Sequence, residues 1–315
     1  MVNMSLEIDH GLEADQTDSD GYNVTPGTSY ASSIATYIKE GIEENGRRYA
    51  AYGKGMYGMP IDEQEQARND IQHAKFTTLL GGRFHLAPLD DPKRILDLGT
   101  GTGVWAVDMA DKYEDAQVTG VDIAAIQSTW VPPNCNFEIV DIEDEWLLDS
   151  EFDFINGREL MLSIRDWDAL CKRAFDHIKP GGYFELQGTV PWIESDDNTI
   201  PTNSDLFEIS MIFFKMAEAM GTSGLVPKQW KALLEKAGFV NVQQNILKIP
   251  QGPWAKDRSL KKVGAFENHS LIVGLDAYMR RGYTQILQGD PKYLDKLIEG
   301  TIRELRDPKI HTYVT

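Results

Sequence analysis

Residues Asp97-Leu98-Gly99-Thr100-Gly101-Thr102-Gly103 combine a carboxylate with three glycines at alternate positions. Glycines so spaced let a backbone approach a ligand closely and turn N–H groups toward it where a helix begins. A pyrophosphate would be repelled by a carboxylate two residues before the first glycine, whereas an ammonium would be drawn to Asp97. The third glycine also comes one residue too early for the dinucleotide-binding fingerprint. Further along, Asp122 stands where an acidic side chain can accept both hydroxyls of a ribose. Asp141-Ile142-Glu143 offers acceptors for an exocyclic adenine amine and an apolar surface for its ring, with helix capping as the plainer role for Asp141. Asn156-Gly157-Arg158 adds a close backbone approach at Gly157 and a guanidinium for a cofactor carboxylate, or for pairing with Asp97 or Glu159. An ammonium, a ribose and an adenine, met in that order, describe S-adenosylmethionine better than NAD.

Methyl transfer from a sulfonium needs neither a metal nor a covalent intermediate. Alignment and exclusion of water supply much of the rate, roughly 7–11 kcal/mol in well-oriented intramolecular cases. A hydroxyl acceptor must lose its proton, and a histidine titrating near neutrality suits that task. Two candidates stand out. His269 is preceded by Glu267, though an exposed helical histidine is the simpler description of it, and His73 follows Asp70 by one helical turn.

These groups need a scaffold, and the segment from Asp91 supplies one. Short β-rich runs alternate with helical ones: Arg94–Leu98, a helix from Val104, Gln117–Val121, Asn136–Val140, Phe152–Asn156, a helix over Arg165–Ile178, a Lys179–Gly182 turn, then Tyr183–Thr189. This alternation predicts parallel βαβ units with helices on both faces, whose ligands bind at the carboxyl ends of the strands. Two stretches interrupt it, at about 191–226 and 257–306, and such insertions make natural walls for an acceptor pocket. Strands are expected over Val240–Ile249 and Ile310–Val314. Upstream, helical spacing covers Ala31–Gly46 and Ile61–Leu80. Between them a glycine-broken, tyrosine-rich segment (Tyr49, Tyr52, Tyr57) is either an aromatic-pinned loop or a lid. Residues 30–90 are thus expected as a helical lid and 91–315 as the catalytic domain.

With 315 residues and 42% apolar composition the chain can bury one substantial core. No apolar run approaches the roughly 20 residues of a membrane span, and no charged-then-apolar leader precedes Lys39, so a cytoplasmic location is expected, or a nuclear one for a regulator. Cys135 and Cys171 form no metal-ligand cluster. A net charge of −18 argues against nucleic acid as partner, because phosphate binding needs clustered Lys and Arg. Residues 1–29 carry six acidic residues and no Lys or Arg, which predicts a disordered acidic tail.

Several short motifs in one order resemble the LaeA-like class I methyltransferases of filamentous fungi. They are Tyr57–Glu63 with Arg68 and His73, Asp97–Gly103, Trp130–Asn134, Ser163–Trp167, Lys179–Gly182, Glu185–Gln187 and Gly252–Trp254. The resemblance spans about residues 47–313. It implies a Rossmann-like α/β fold, doubly wound around a seven-stranded, mostly parallel sheet with an N-terminal helical lid and helical insertions. It also implies S-adenosylmethionine as donor and typically a small fungal natural product as acceptor, with a regulatory role as the alternative. Asp97, Gly99, Thr100, Gly101 and Gly103 would hold the methionyl end, Asp122 and Ile123 the ribose, and Asp141, Ile142 and Glu143 the adenine. Asn156, Arg158, Tyr57 and Arg68 would complete the cofactor site. Family members run past the position of Tyr313 into a longer final strand, so a shortened last hairpin is expected here.

Overall fold

The computed structural model describes residues 37–44, 46–53, 58–147 and 151–315. The acidic tail, residues 31–36 and 45 of the first expected helix, and Tyr57 lie outside the described residues.

Residues 37–40 are helical, but Gly41 takes φ +69° and the chain turns into a hairpin of β1 (Ile42–Glu44) and β2 (Arg47–Tyr49). The expected helix to Gly46 is therefore corrected. Asn45-Gly46 is a dipeptide favoured by tight hairpin turns, and the apolar spacing of Ile34, Tyr37, Ile38 and Ile42 masked it. Helix α1 (Glu63–Leu79) starts at Asp62, whose carboxylate caps Glu65 N–H at 3.1 Å and pairs with Arg47 at 2.6 Å.

The central sheet contains β3 (Arg94–Leu98), β4 (Gln117–Asp122), β5 (Cys135–Ile139), β6 (Phe152–Arg158) and β7 (Ile178–Gln187), in the order β5-β4-β3-β6-β7 and all parallel. Helices α2 (Val104–Lys112), α3 (Trp167–Asp176) and α5 (Trp230–Ala237) flank it. Both faces are buried. Ile95, Met109, Val118 and Phe154 pack on one side, and Leu96, Leu98, Ile155, Trp167 and Leu170 on the other. Each such side chain contributes about 1.5–3 kcal/mol by leaving water. Strand order reverses between β3 and β6, so Asp97 and Asn156, which are register partners, share the switch point. Lys179–Gly182 is not a turn before β7. It is an irregularity within that strand, where the register slips and Gly181 takes φ +86°.

The first insertion forms α4 (Asp205–Ala219), and the second forms α6 (Arg258–Arg281) and α7 (Pro291–Arg306), which pack through Ile209, Met216, Leu275, Leu294 and Leu297. The expected strand Val240–Ile249 is present only as β8 (Ile249–Pro250), paired antiparallel with β9 (Tyr313–Val314) in a separate ribbon. Among the described residues the main sheet thus has five strands, two fewer than expected. Val240 and Ile246 remain solvent-exposed, so the apolar alternation that suggested a strand has no partner to bury it.

Candidate active site

Above the switch point lies a cavity of about 310 Å³, within the range of small-molecule sites. Asp97, at the end of β3, is buried and accepts Thr100 Oγ1 and Asn156 Nδ2, each at 2.7 Å. Burial pushes its carboxyl pKa up, while Thr100, Asn156 and the nearby Arg158 pull it back. Asn156 is fully buried and its Oδ1 has no hydrogen-bond partner. An orphan acceptor beside a buried carboxylate fits an ammonium group.

The glycines play different parts. Gly101 takes φ +58° with open space before it and lines the cavity. Gly99 leaves room for Leu160, since a Cβ would lie 2.6 Å from Leu160 Cδ2. Gly103 lies outside the cavity lining; it opens α2 at φ +83°, and a Cβ there would lie 2.3 Å from the Phe137 ring. Gly103 is therefore a packing residue, which corrects its expected place among the ligand contacts.

Asp122 ends β4 and ties the loop down, with Oδ2 accepting Gly101 N–H at 2.8 Å and Oδ1 accepting Ala124 N–H at 2.9 Å. A carboxylate accepts about four hydrogen bonds, so acceptor capacity remains for ribose hydroxyls. Enclosure in protein, with the nearby Asp97 charge, pushes its pKa up to about 6, against the Ala124, Gly101 and Ile123 backbone N–H groups. Ile123, Asp141 and Ile142 line the same end of the cavity. Asp141 also accepts Glu143 N–H at 3.0 Å, and a Cβ on Gly53 would lie 3.5 Å from Asp141 Oδ2 and 3.6 Å from Ile123 Cγ2. Glu143 borders the cavity, but its carboxylate pairs with Arg165 at 2.8 Å.

Arg158, at the end of β6, forms no ion pair with Asp97 or Glu159. It donates to Gln187 Oε1 at 2.9 Å and Phe84 O at 3.2 Å, and faces His73 Nδ1 at 3.1 Å. Burial lowers its pKa to about 10, which leaves a guanidinium able to meet an anion. Asp97 and Asn156 for an ammonium, Arg158 for a carboxylate, Asp122 for two hydroxyls and Asp141 with Ile142 for a purine form a donor and acceptor set that fits S-adenosylmethionine.

A methyltransferase-domain family model matches residues 67–244. "Methyltransferase pytC" of Aspergillus terreus is 34% identical, covering 97% of this chain and 92% of its own. "Secondary metabolism regulator LAE1" of Cochliobolus heterostrophus is 34% identical over 86% and 91%, and "Protein-methionine methyltransferase laeA" of Emericella nidulans 31% over 86% and 73%. The chain belongs to the LaeA-like class I methyltransferases. It is an S-adenosylmethionine-dependent methyltransferase with the Rossmann-like fold of that class.

The rest of this methyltransferase's cavity is bounded by the insertions and α1. Pro191 and Ile193 after β7, Leu206 and Phe213 of α4, and Leu271 and Leu275 of α6 form an apolar chamber. Its polar groups are mostly held by protein. Lys75 pairs with Glu267 at 2.9 Å, both almost fully buried, and Arg68 pairs with Glu65 at 2.7 Å while reaching Ser270 and stacking over Tyr278. Arg68 therefore belongs to the wall shared by α1 and α6 and lies among protein acceptors. Burial pushes the Tyr278 phenol above its usual range.

The two histidines fare differently from expectation. His269 is exposed on α6 and absent from the cavity lining, because Glu267, Leu271, Leu275 and Tyr278 form the inward stripe and position 269 points away from it. His73 lines the cavity, but its partner is Asp108 at 2.8 Å; Asp70 instead accepts Thr102 Oγ1. With Nε2 facing a carboxylate and Nδ1 facing Arg158 N–H, both ring nitrogens are engaged by protein. Sequence reasoning passed over Lys75, Thr189, Gln251 and Tyr278 as lining residues and treated Glu159 only as a partner for Arg158. Tyr278 alone had a signal, the helical spacing 267, 271, 275, 278. Tyr49, expected in a cover, is buried under the Arg281 guanidinium 4.1 Å from its ring centroid and does not line the cavity.

Proposed function

We propose that this methyltransferase transfers its methyl group to a small-molecule acceptor, a hydroxyl- or amine-bearing fungal secondary metabolite. The observation that carries the reading is the continuity of the cavity, which runs from the Asp97–Asn156 pocket into an apolar chamber walled by α4 and α6. Asp97 and Asn156 hold the methionyl ammonium, Arg158 its carboxylate, Asp122 the ribose hydroxyls, and Asp141 with Ile142 the adenine. The cofactor supplies an electrophilic methyl group. The chain's own residues fix that group opposite the acceptor and exclude water. Gly53 and Met59, both on the cavity, support residues 30–90 as the cover, and the segments 191–226 and 257–306 as the acceptor walls of a catalytic domain over 91–315.

The net charge of −18 disfavours nucleic acid as acceptor, and among the described residues no helix is long and apolar enough to cross a membrane. That suits a cytoplasmic enzyme, or a nuclear one if the second reading holds. The second reading, methylation of a protein within a regulatory pathway, is favoured by the relatives named as regulators and as a protein-methionine methyltransferase. Incubation with labelled S-adenosylmethionine and a fungal culture extract, split into small-molecule and protein fractions, separates the two. Label confined to protein refutes the small-molecule reading.

A further inference from the structure

On the lining of the cavity, Glu159 combines an unusual backbone with a carboxylate that has no cation partner. It directly follows β6, next to Arg158, and holds φ +55° and ψ +34°. For a residue with a Cβ this left-handed conformation is unfavourable, and such outliers gather where a side chain must be aimed. The conformation is enforced from both sides. Glu159 N–H donates to Gln187 O at 2.8 Å, and Oε1 accepts Thr189 Oγ1 at 2.6 Å.

Of the other bases on the cavity, Asp97, Asp122 and Asp141 belong to the proposed cofactor end, and the rest are engaged by protein. Glu267 is neutralised by Lys75 and Glu143 by Arg165, while both nitrogens of His73 are engaged. Glu159 forms no ion pair, and its Oε2 has no hydrogen bond among the described residues. It lines the cavity together with Leu162, Pro191 and Ile193.

We infer that Glu159 is the proton acceptor of the reaction and that the acceptor is a hydroxyl of phenol-like acidity on an apolar molecule. This inference rests on the small-molecule reading above. As the acceptor oxygen bonds to the methyl carbon, the carbon–sulfur bond breaks and its electron pair stays on sulfur. The hydroxyl proton passes to Glu159 Oε2, giving a neutral carboxylic acid that later releases the proton to water. Charge balances, because the sulfonium and the carboxylate are neutralised together. A carboxylate serves such a hydroxyl, near pKa 10 as in tyrosine, far better than an aliphatic alcohol. Thr189 is a positioning residue that fixes Oε1 and leaves Oε2 directed to the acceptor.

The test uses the full chain, labelled S-adenosylmethionine, an organic extract of fungal culture as acceptor pool, and 2-naphthol as defined probe. Glu159→Gln preserves shape and is expected to lower the rate of small-molecule methylation about 10²–10⁴-fold. Its affinity for S-adenosylhomocysteine should stay within twofold of wild type, and Glu159→Asp should recover part of the rate. Products should be aryl or enol methyl ethers by mass spectrometry, and residual activity of the Gln variant should rise with pH as the phenol ionises unaided. Small-molecule methylation by wild type with Glu159→Gln within threefold of it overturns the role of Glu159 and leaves the function standing, as do N- or C-methyl products. Label in protein alone, or none at all, overturns both.

Discussion

Replacing Asp122 with Ala tests the cofactor end of the cavity most directly. Its carboxylate accepts Gly101 and Ala124 N–H groups and keeps acceptor capacity, which the ribose hydroxyls use in the proposed complex. A hydrogen bond to a charged group is worth about 1.5–3 kcal/mol, so two of them amount to roughly 3–6 kcal/mol. At about 1.4 kcal/mol per decade, affinity for S-adenosylhomocysteine should fall roughly 10²–10⁴-fold. Calorimetry measures it, with circular dichroism to show that the sheet stays folded. The same carboxyl sets a pH signature. Its pKa without ligand is about 6, and hydroxyl donors favour the ionised form and lower that value in the complex. Affinity should therefore be full above pH 6 and fall by up to tenfold per unit below it. Ala at 122 removes the part of the slope that starts there. A folded Asp122→Ala chain that binds S-adenosylhomocysteine within threefold of wild type would refute the ribose assignment and leave Asp122 as a strand-end tie for the glycine loop.

Gly103→Ala places a Cβ 2.3 Å from the Phe137 ring at φ +83°, and denaturant melts should show a loss of roughly 2–5 kcal/mol. Adding Phe137→Ala should relieve the clash and leave the backbone strain. Lys75→Met leaves Glu267 buried without its cation and should cost about 3–5 kcal/mol, most of it recovered in the Lys75→Met, Glu267→Leu double variant; additive losses in that cycle would contradict the pairing. Deleting residues 1–29 should leave turnover unchanged, whereas deleting 1–60 removes Gly53 and Met59 from the cavity and should lower cofactor affinity and turnover with the circular dichroism of the sheet retained.

The parallel sheet was legible in the sequence because its strands are buried on both faces, so Arg94–Leu98, Gln117–Asp122 and Phe152–Arg158 stand out as apolar runs ending in polar, cavity-lining residues. The same ends carry Asp97, Asp122 and Asn156, which is why these cavity-lining residues could be picked out of the sequence one at a time. Spacing alone misled elsewhere. The β1–β2 hairpin hides in a pattern that also fits a helix, and only Gly41 and Asn45-Gly46 betray it. The alternation over Val240–Ile249 describes a strand whose apolar face finds nothing to cover it. Gly103 shows a subtler limit, since its place in a ligand motif and its contact with Phe137 look alike until the ring is in view. The acceptor chamber was hardest, because its walls come from α1, α4 and α6, and no local pattern relates Lys75 to Glu267 across 192 positions. Glu159 was seen only as a charge next to a charge; its left-handed backbone, which aims it, leaves no trace in composition.

The distribution of buried charge separates wall from site. An uncompensated charge inside a protein costs several kcal/mol, so a chain retains one only where something else supplies its partner. Along the chamber, Lys75 with Glu267 and Arg68 with Glu65 are matched within the protein, and the part-exposed Arg165 with Glu143 at the cavity's border. At the switch point matching stops. Asp97, Asp122, Arg158 and Glu159 form no ion pair among the described residues, Asn156 keeps an orphan oxygen, and both aspartates have raised pKa values. A zwitterionic methionyl group would answer Asp97 with its ammonium and Arg158 with its carboxylate, and ribose hydroxyls would answer Asp122. Among the described residues that leaves Glu159 as a carboxylate on the cavity with neither a cation nor a cofactor group to answer it, which is the place the proposal gives to the proton of the acceptor.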